Sequence, residues 1–199
     1  MFEVMTVCTG NICRSPLAQQ ILHARLAGLP GRITSGGTYE MGGAEMPADA
    51  QKLAAMYGVD ATISAAHRSA LISPDRLAAP DLILAMAREH RREIVSIAPS
   101  RLRSTFTVRE FARLAADTSD DEILSAASAA GPDASARLRA GVGAVAGHRG
   151  MTLPPESPED DDVIDPYRRS WNTYQVSGAQ LVPALDQVVR VVRLAVAGA

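Results

Sequence analysis

Apolar positions along the chain follow two alternating periods. Residues 2–7 (FEVMTV) form an almost continuous apolar run that ends in a polar loop, which reads as a buried strand. The next stretch, SPLAQQILHARLAGL, carries Leu17, Ile21, Leu22 and Leu26 at helical spacing. Ser15 is its expected cap, and Pro16 suits the first helical position, where a missing N–H costs nothing. GRITSGGT predicts a second short strand that ends in a glycine turn, and Pro47 to Tyr57 a helix closed by Gly58. Leu82 to Met86 reads as a third strand buried on both faces, Arg88 to Ile97 as a helix, Ser104 to Val108 as a fourth strand, and Arg109 to Ala115 as the start of another helix. Strands that alternate with helices imply a parallel sheet covered on both sides. The expected fold is therefore α/β, a four-stranded parallel sheet in a three-layer, flavodoxin-like sandwich.

The stretch from about 116 to 162 departs from this rhythm, being rich in Ala, Gly, Ser and Asp. Ser119 with Glu122 fits a capping box and predicts a helix over 120–130. Leu138, Val142 and Val145 make a further helical stripe, weakened by Gly141 and Gly143. The acidic, proline-punctuated run at 154–162 reads as a solvated loop, and the arginines between Arg88 and Arg113 as a solvated helix face. At the C-terminal end, Leu181, Leu185, Val188, Val189 and Val192 share one face of an amphipathic helix, with Pro183 a kink or near its start. The whole of 1–199 reads as one domain with an atypical segment at 116–162, expected to form a small helical subdomain beside the site.

Composition narrows the classes. With 47% hydrophobic and 21% charged residues in 199, the chain has the balance of a globular domain. A net charge of −2 argues against a general nucleic-acid binder. No apolar run reaches the roughly 20 residues that span a bilayer, and no signal peptide is evident, so neither nucleic acid nor membrane is an expected partner. Two cysteines, Cys8 and Cys13, are too few for a disulfide framework. A reducing, cytoplasmic setting is the expectation.

The chemistry concentrates in Val7-Cys8-Thr9-Gly10-Asn11-Ile12-Cys13-Arg14-Ser15-Pro16, between a strand end and a helix N-terminus. Backbone N–H groups converge in such a place and bind phosphate-like anions, helped by the helix dipole. If the loop curls around an anion, Cys8 lies beneath it, and Arg14 grips two oxygens in a fork that lysine does not reproduce. The same positive field favours the Cys8 thiolate, which is then poised for in-line attack on phosphorus.

This segment resembles the signature loop of the low-molecular-weight protein tyrosine phosphatases, in the spacing C-x5-R-S and in Gly10, Asn11 and Cys13. The resemblance extends to Ser35-Gly36-Gly37-Thr38, His67-Arg68-Ser69, Leu82-Ile83-Leu84-Ala85-Met86 and Asp165-Pro166-Tyr167. It covers roughly 1–115 and 163–199 and leaves out 116–162. It implies hydrolysis of protein phosphotyrosine through a phosphocysteine, with Cys8 as nucleophile and Asp165 as acid, then as base towards water. Arg14 and the loop Thr9, Gly10, Asn11, Ile12, Cys13 and Ser15 would bind phosphate, with Ser15 donating to the thiolate. Asn11 suits a left-handed backbone position and would join a buried network with Ser35 and His67. Tyr39 and Tyr167 would wall a slot for a flat ring. No metal or other cofactor is expected, because Arg14 and the loop amides supply the positive charge. The expected partner is a phosphotyrosine-containing protein, in bacteria often a tyrosine kinase of surface-polysaccharide export.

Several readings stay open at this level. Cys13 either fills space or forms a reversible disulfide with Cys8. Arg168 and Ala87 stand where the family often has an aromatic residue and an aspartate. Arginine phosphatases of the same fold typically carry Thr where Ile12 stands, and a bulky Ile12 favours a phosphophenol over a guanidinium. A non-catalytic phosphate-binding module would keep the loop but lose the acid.

Overall fold

Strand Phe2–Cys8 (β1) divides its side chains between two cores. Phe2, Val4 and Cys8 point into the larger one, while Met5 and Val7 point into the smaller. A computed structural model describes residues 1–197, and among these residues β1 joins Gly31–Gly37 (β2), Leu82–Ala85 (β3) and Thr105–Thr107 (β4) in one sheet. The order is β2-β1-β3-β4 and the pairings are parallel, with Cys8 opposite Gly37 and Val7 opposite Ala85. Helices cover both faces, as the alternating periods predict.

Helix Arg14–Arg25 (α1) begins two residues earlier than expected, with Cys13 at its N-cap and no side-chain cap. Ser15 is therefore not the cap. Its hydroxyl is turned under the loop instead, towards Cys8. Pro16 falls at the third helical position, still within the first turn whose N–H groups have no helical acceptor. Helix Ala48–Met56 (α2) is closed by Gly58 at φ +81°, as read. Two short helices, Ala61–Ala66 (α3) and Pro74–Ala78 (α4), were not legible from periodicity. Asp60 and Ser73 cap them, through Thr62 N and Arg76 N. Helix Arg88–Ile97 (α5) places Ile94 in the smaller core with Leu77 of α4.

Helices Val108–Asp117 (α6) and Asp120–Ala129 (α7) both open on complete capping boxes, Thr107 with Glu110 and Ser119 with Glu122. Each such cap is worth about 1 kcal/mol. Helix Ala134–Gly147 (α8) buries Leu138, Val142 and Val145. These side chains, with Ile123 and Ala127 of α7, join the same core as Phe111 of α6 and Leu185 and Val188 of the last helix, Trp171–Ala197 (α9). Pro183 sits inside α9 rather than near its start. Its ring is on the exposed side, where water can take the place of the missing donor.

The 116–162 segment is helical, but it does not lie beside the loop that follows β1. Ser135 and Arg139 of α8 bind Asp81, at the amino end of β3, and Arg149 donates to the Thr105 carbonyl at the amino end of β4. The pair α7–α8 thus packs against the sheet's opposite edge. The chain then climbs back through a 3-10 turn at Pro158–Asp161. That climb is exposed over most of 154–160, as the reading of a solvated loop expects, but its end is pinned: Asp161 pairs with Arg113 at 3.0 Å, Asp162 with Arg88 at 3.2 Å, and Arg109 donates to the Asp162 carbonyl. Arg88 of α5 and Arg109 and Arg113 of α6 are spent on this strap, which corrects their reading as part of a solvated face, whereas Arg92 is exposed.

Candidate active site

Residues 8–14 turn from β1 into α1 at the carboxyl edge of the sheet, where parallel α/β folds bind ligands. The turn is possible because Asn11 adopts φ 52°, a left-handed position that asparagine tolerates. Its side chain is fully used. Nδ2 donates to Ser15 Oγ at 2.9 Å and to Ser35 Oγ at 2.8 Å, and Oδ1 accepts from Ala70 N. His67 Nε2 donates to the Asn11 carbonyl at 2.7 Å, and burial lowers the tendency of that imidazole to charge. The structure therefore brings Asn11, Ser15, Ser35 and His67 together.

Gly37 is required by close approach. A Cβ there would stand 2.6 Å from the Thr9 carbonyl and 3.1 Å from Asn11 N. Beyond it, Thr38 N donates to the Cys8 carbonyl and Tyr39 N to that of Thr9, so the loop is backed by a ladder of main-chain bonds.

Cys8 Sγ lies 3.0 Å from Ser15 Oγ. Because Asn11 Nδ2 donates into that hydroxyl, the Ser15 proton is free to go to Cys8 or to the Gly36 carbonyl 3.3 Å away. Cys13 is differently placed. Its Sγ is buried 3.8 Å from Tyr174 Oη, and burial pushes the thiol up to about 12. A group that stays protonated at neutral pH packs as a small hydrophobe and is a weak nucleophile.

Arg14 is 4% exposed and reaches the segment that carries Asp165. Nη1 donates to the Val163 carbonyl at 3.1 Å, and Nη2 to Asp165 Oδ2 at 2.8 Å and to Thr9 Oγ1 at 3.3 Å. Val163 N donates to the Met86 carbonyl beyond the end of β3, and Ile164 N to Gln180 Oε1 of α9. Asp165 is thus tied to the sheet, to α9 and to Arg14, while its carboxylate remains half exposed at the mouth of the site. Arg168 takes φ 58° and its guanidinium lies 5.1 Å over the Tyr167 ring. The residue that replaces a second aromatic therefore covers the first one.

Cys8, Thr9, Gly10, Ile12, Cys13, Arg14, Tyr39, Asp165 and Tyr167 line one pocket of about 230 Å³. Met41, which sequence reasoning missed, completes its apolar wall. The missed polar partner is His90 of α5. It is buried, with Nε2 2.9 Å from Thr9 Oγ1. Thr9 Oγ1 accepts from Arg14 and shares a hydrogen bond with His90, whose burial drives it down to about 3. No sequence signal marked this histidine, because its role arises only where α5 meets the loop.

The low molecular weight phosphotyrosine protein phosphatase family model matches residues 3–123. The chain is 35% identical over 97 residues to the low molecular weight protein-tyrosine-phosphatase Etp of Escherichia coli, a stretch that covers 49% of this chain and 62% of that relative. It is 32% identical over 111 residues to a protein-arginine-phosphatase of Geobacillus stearothermophilus, covering 55% of this chain and 71% of that one. Among solved structures, a low molecular weight protein tyrosine phosphatase from T. tengcongensis superposes with a TM-score of 0.65 at 26% identity, covering 95% of this chain and 98% of the other.

Proposed function

Because the chain belongs to the low molecular weight phosphotyrosine protein phosphatase family, we propose that it hydrolyses phosphotyrosine in proteins through a phosphocysteine. The observation that carries the reading is the single pocket onto which Cys8, Arg14 and Asp165 all open. Cys8 attacks phosphorus as the thiolate, with the Ser15 hydroxyl stabilising the sulfur as it attacks and as it leaves. Arg14 and the N–H groups of the loop hold the phosphoryl oxygens and meet the charge that builds on them in the transition state. Asp165 gives its proton to the departing phenolate, then takes one from the water that opens the phosphocysteine. Asn11 and its partners hold the loop, and Thr9 with His90 orients Arg14.

The rim supports a flat phenolic substrate. Ile12, Met41, Tyr39 and Tyr167 give the pocket apolar walls, and Tyr39 is 65% exposed, free to meet a protein surface. No helix among the described residues is long and apolar enough to cross a membrane. In this reading the protein works in the cytoplasm on phosphotyrosine proteins, a tyrosine kinase among them. A second reading, the arginine phosphatase, is supported by the Geobacillus stearothermophilus relative and uses the same nucleophile.

The test is turnover of phosphotyrosine and phosphoarginine peptides in EDTA at mildly acidic and neutral pH. Phosphotyrosine hydrolysis that Cys8→Ser reduces to background is the expected result. Preference for phosphoarginine keeps the mechanism and overturns the substrate. Turnover that survives Cys8→Ser overturns both.

A further inference from the structure

A cavity assigned to no part of this chemistry lies at the other end of the sheet. It has about 550 Å³ of free volume and opens between α8 and the 3-10 turn Pro99–Ser104. Four arginines line it, Arg101, Arg103, Arg139 and Arg149; the Arg149 guanidinium is held by Glu110 and by the Leu102 and Thr105 carbonyls. Asp81 is the acidic residue of the lining. It is 2% exposed and already engaged by Glu3 N, Ser135 Oγ and Arg139 Nη1. Glu110 is held by Arg149 at 2.9 Å and by Arg91 at 3.7 Å. The wall therefore carries four arginines, of which Arg139 is paired with Asp81 and Arg149 with Glu110, so two positive charges are in excess. Arg101 donates to the Pro80 carbonyl, and its Nε is buried with no partner. Burial lowers the pKa of that guanidinium; Asp81 opposes the shift and Arg139 adds to it.

On α8, two of the lining positions beside Arg139, Val142 and Ala146 carry no side chain. Gly143 and Gly147, one helical turn apart on α8, line the cavity, and a Cβ on either would meet nothing within 4 Å. Neither has a positive φ. This differs from Gly141, whose Cβ would meet Ala195 Cβ at 3.1 Å, so that packing explains the glycine. Glycine inside a helix is unfavourable relative to alanine. At 143 neither backbone conformation nor packing offsets that cost, and Gly147 closes the helix. The missing side chains at both positions leave the cavity unfilled there. Helix α8 lies outside the residues matched by the family model.

We propose that this cavity is a second anion site, which takes a small molecule bearing two or more phosphoryl groups. Guanidinium forks suit phosphate oxygens, and several of them converging from two elements suit more than one phosphoryl group. The volume falls in the range of small-molecule sites.

The experiment titrates the full-length protein calorimetrically with inorganic tripolyphosphate, and with a nucleoside triphosphate to learn whether a base adds affinity. Arg14→Ala removes the anion grip of the first site. Binding that persists in Arg14→Ala is expected, as is a loss of about tenfold or more on adding Gly143→Glu, which puts bulk and negative charge into the cavity. Gly143→Ala, expected to bind tripolyphosphate within a factor of two of wild type, controls for the helix, and thermal unfolding of each variant verifies the fold. Tighter binding of the nucleotide assigns the site to nucleotides, and equal binding assigns it to the phosphate chain alone. Binding that disappears with Arg14→Ala, binding untouched by Gly143→Glu, or no heat from either probe at millimolar concentration overturns the proposal.

Discussion

At the scale of single residues, the site is a set of groups each held by a partner of known chemistry. Asp165 is held by Arg14 and by Tyr167 N, so its carboxyl is aimed rather than free to swing. Asp165→Asn keeps the shape but removes the proton, and kcat/KM, which reports the transfer to Cys8 before water enters, should fall by roughly 10²–10⁴ with phenyl phosphate as substrate. The loss should be much smaller with p-nitrophenyl phosphate, whose leaving group departs without protonation. Steady-state assays of both esters check this, and equal losses would place Asp165 outside the acid role. Gly37 offers a steric test. The atom facing its absent Cβ is the Thr9 carbonyl, a backbone atom that cannot rotate away. Gly37→Ala should cost about 1–3 kcal/mol of stability, as overpacking does. It should also lower kcat, because Thr9 belongs to the loop proposed to cradle phosphate. Denaturant unfolding and turnover of the same variant measure the two effects.

At the scale of elements, the structure shows where local preference yields to packing. Helix α9 tolerates Pro183 because its other face carries Leu181, Leu185, Val188 and Val192, all fully buried. Each contributes about 1.5–3 kcal/mol on burial, enough together to outweigh a proline that costs about 3 kcal/mol in a helix interior. Pro183→Ala should recover part of that cost. An expected gain of about 1 kcal/mol corresponds to a rise in Tm of about 2–4 °C for a chain of this size. An unchanged or lower Tm would mean that the helix is shaped around the proline. The strap at 149–162 carries the opposite lesson. Its composition is that of a loop, yet Arg88, Arg109 and Arg113 fasten it to α5 and α6 just before Asp165.

At the scale of the whole molecule, two histidines, His90 buried and His67 half-buried, set an acid limit. His90 and His67 both have folded pKa values below the ordinary value of 6.5, His90 at about 3. Between that value and 6.5 the unfolded chain binds protons that the folded chain refuses. Their contribution to stability is therefore complete above pH 6.5 and is lost as pH falls towards 3. The unfolding free energy should decline through this window, and His90→Asn should flatten the decline. A profile that is level from pH 7 to 4 would contradict the buried, neutral assignment. His90 also links α5 to Arg14 through Thr9, so the window in which the protein is stable and the integrity of its anion grip depend on the same contact.

What the sequence by itself determined was local. The run from Cys8 to Arg14 holds the proposed nucleophile and the proposed phosphate grip within a single loop, so spacing alone displays it. The capping box at Ser119 and Glu122 and the apolar periods of β1 and α9 are likewise fixed by neighbours a few positions apart. The misreadings were local too: Ser15 has a cap's chemistry, and only the fold turns it under Cys8. Tertiary structure alone decided the pairing of Arg14 with Asp165, 151 residues away, the recruitment of His90 and Met41, and the placing of α8 at the far edge of the sheet. Those relations depend on how the faces of α5, α8 and α9 pack against four strands. Packing depends on the sum of many weak apolar contacts, and no short stretch of sequence contains that sum.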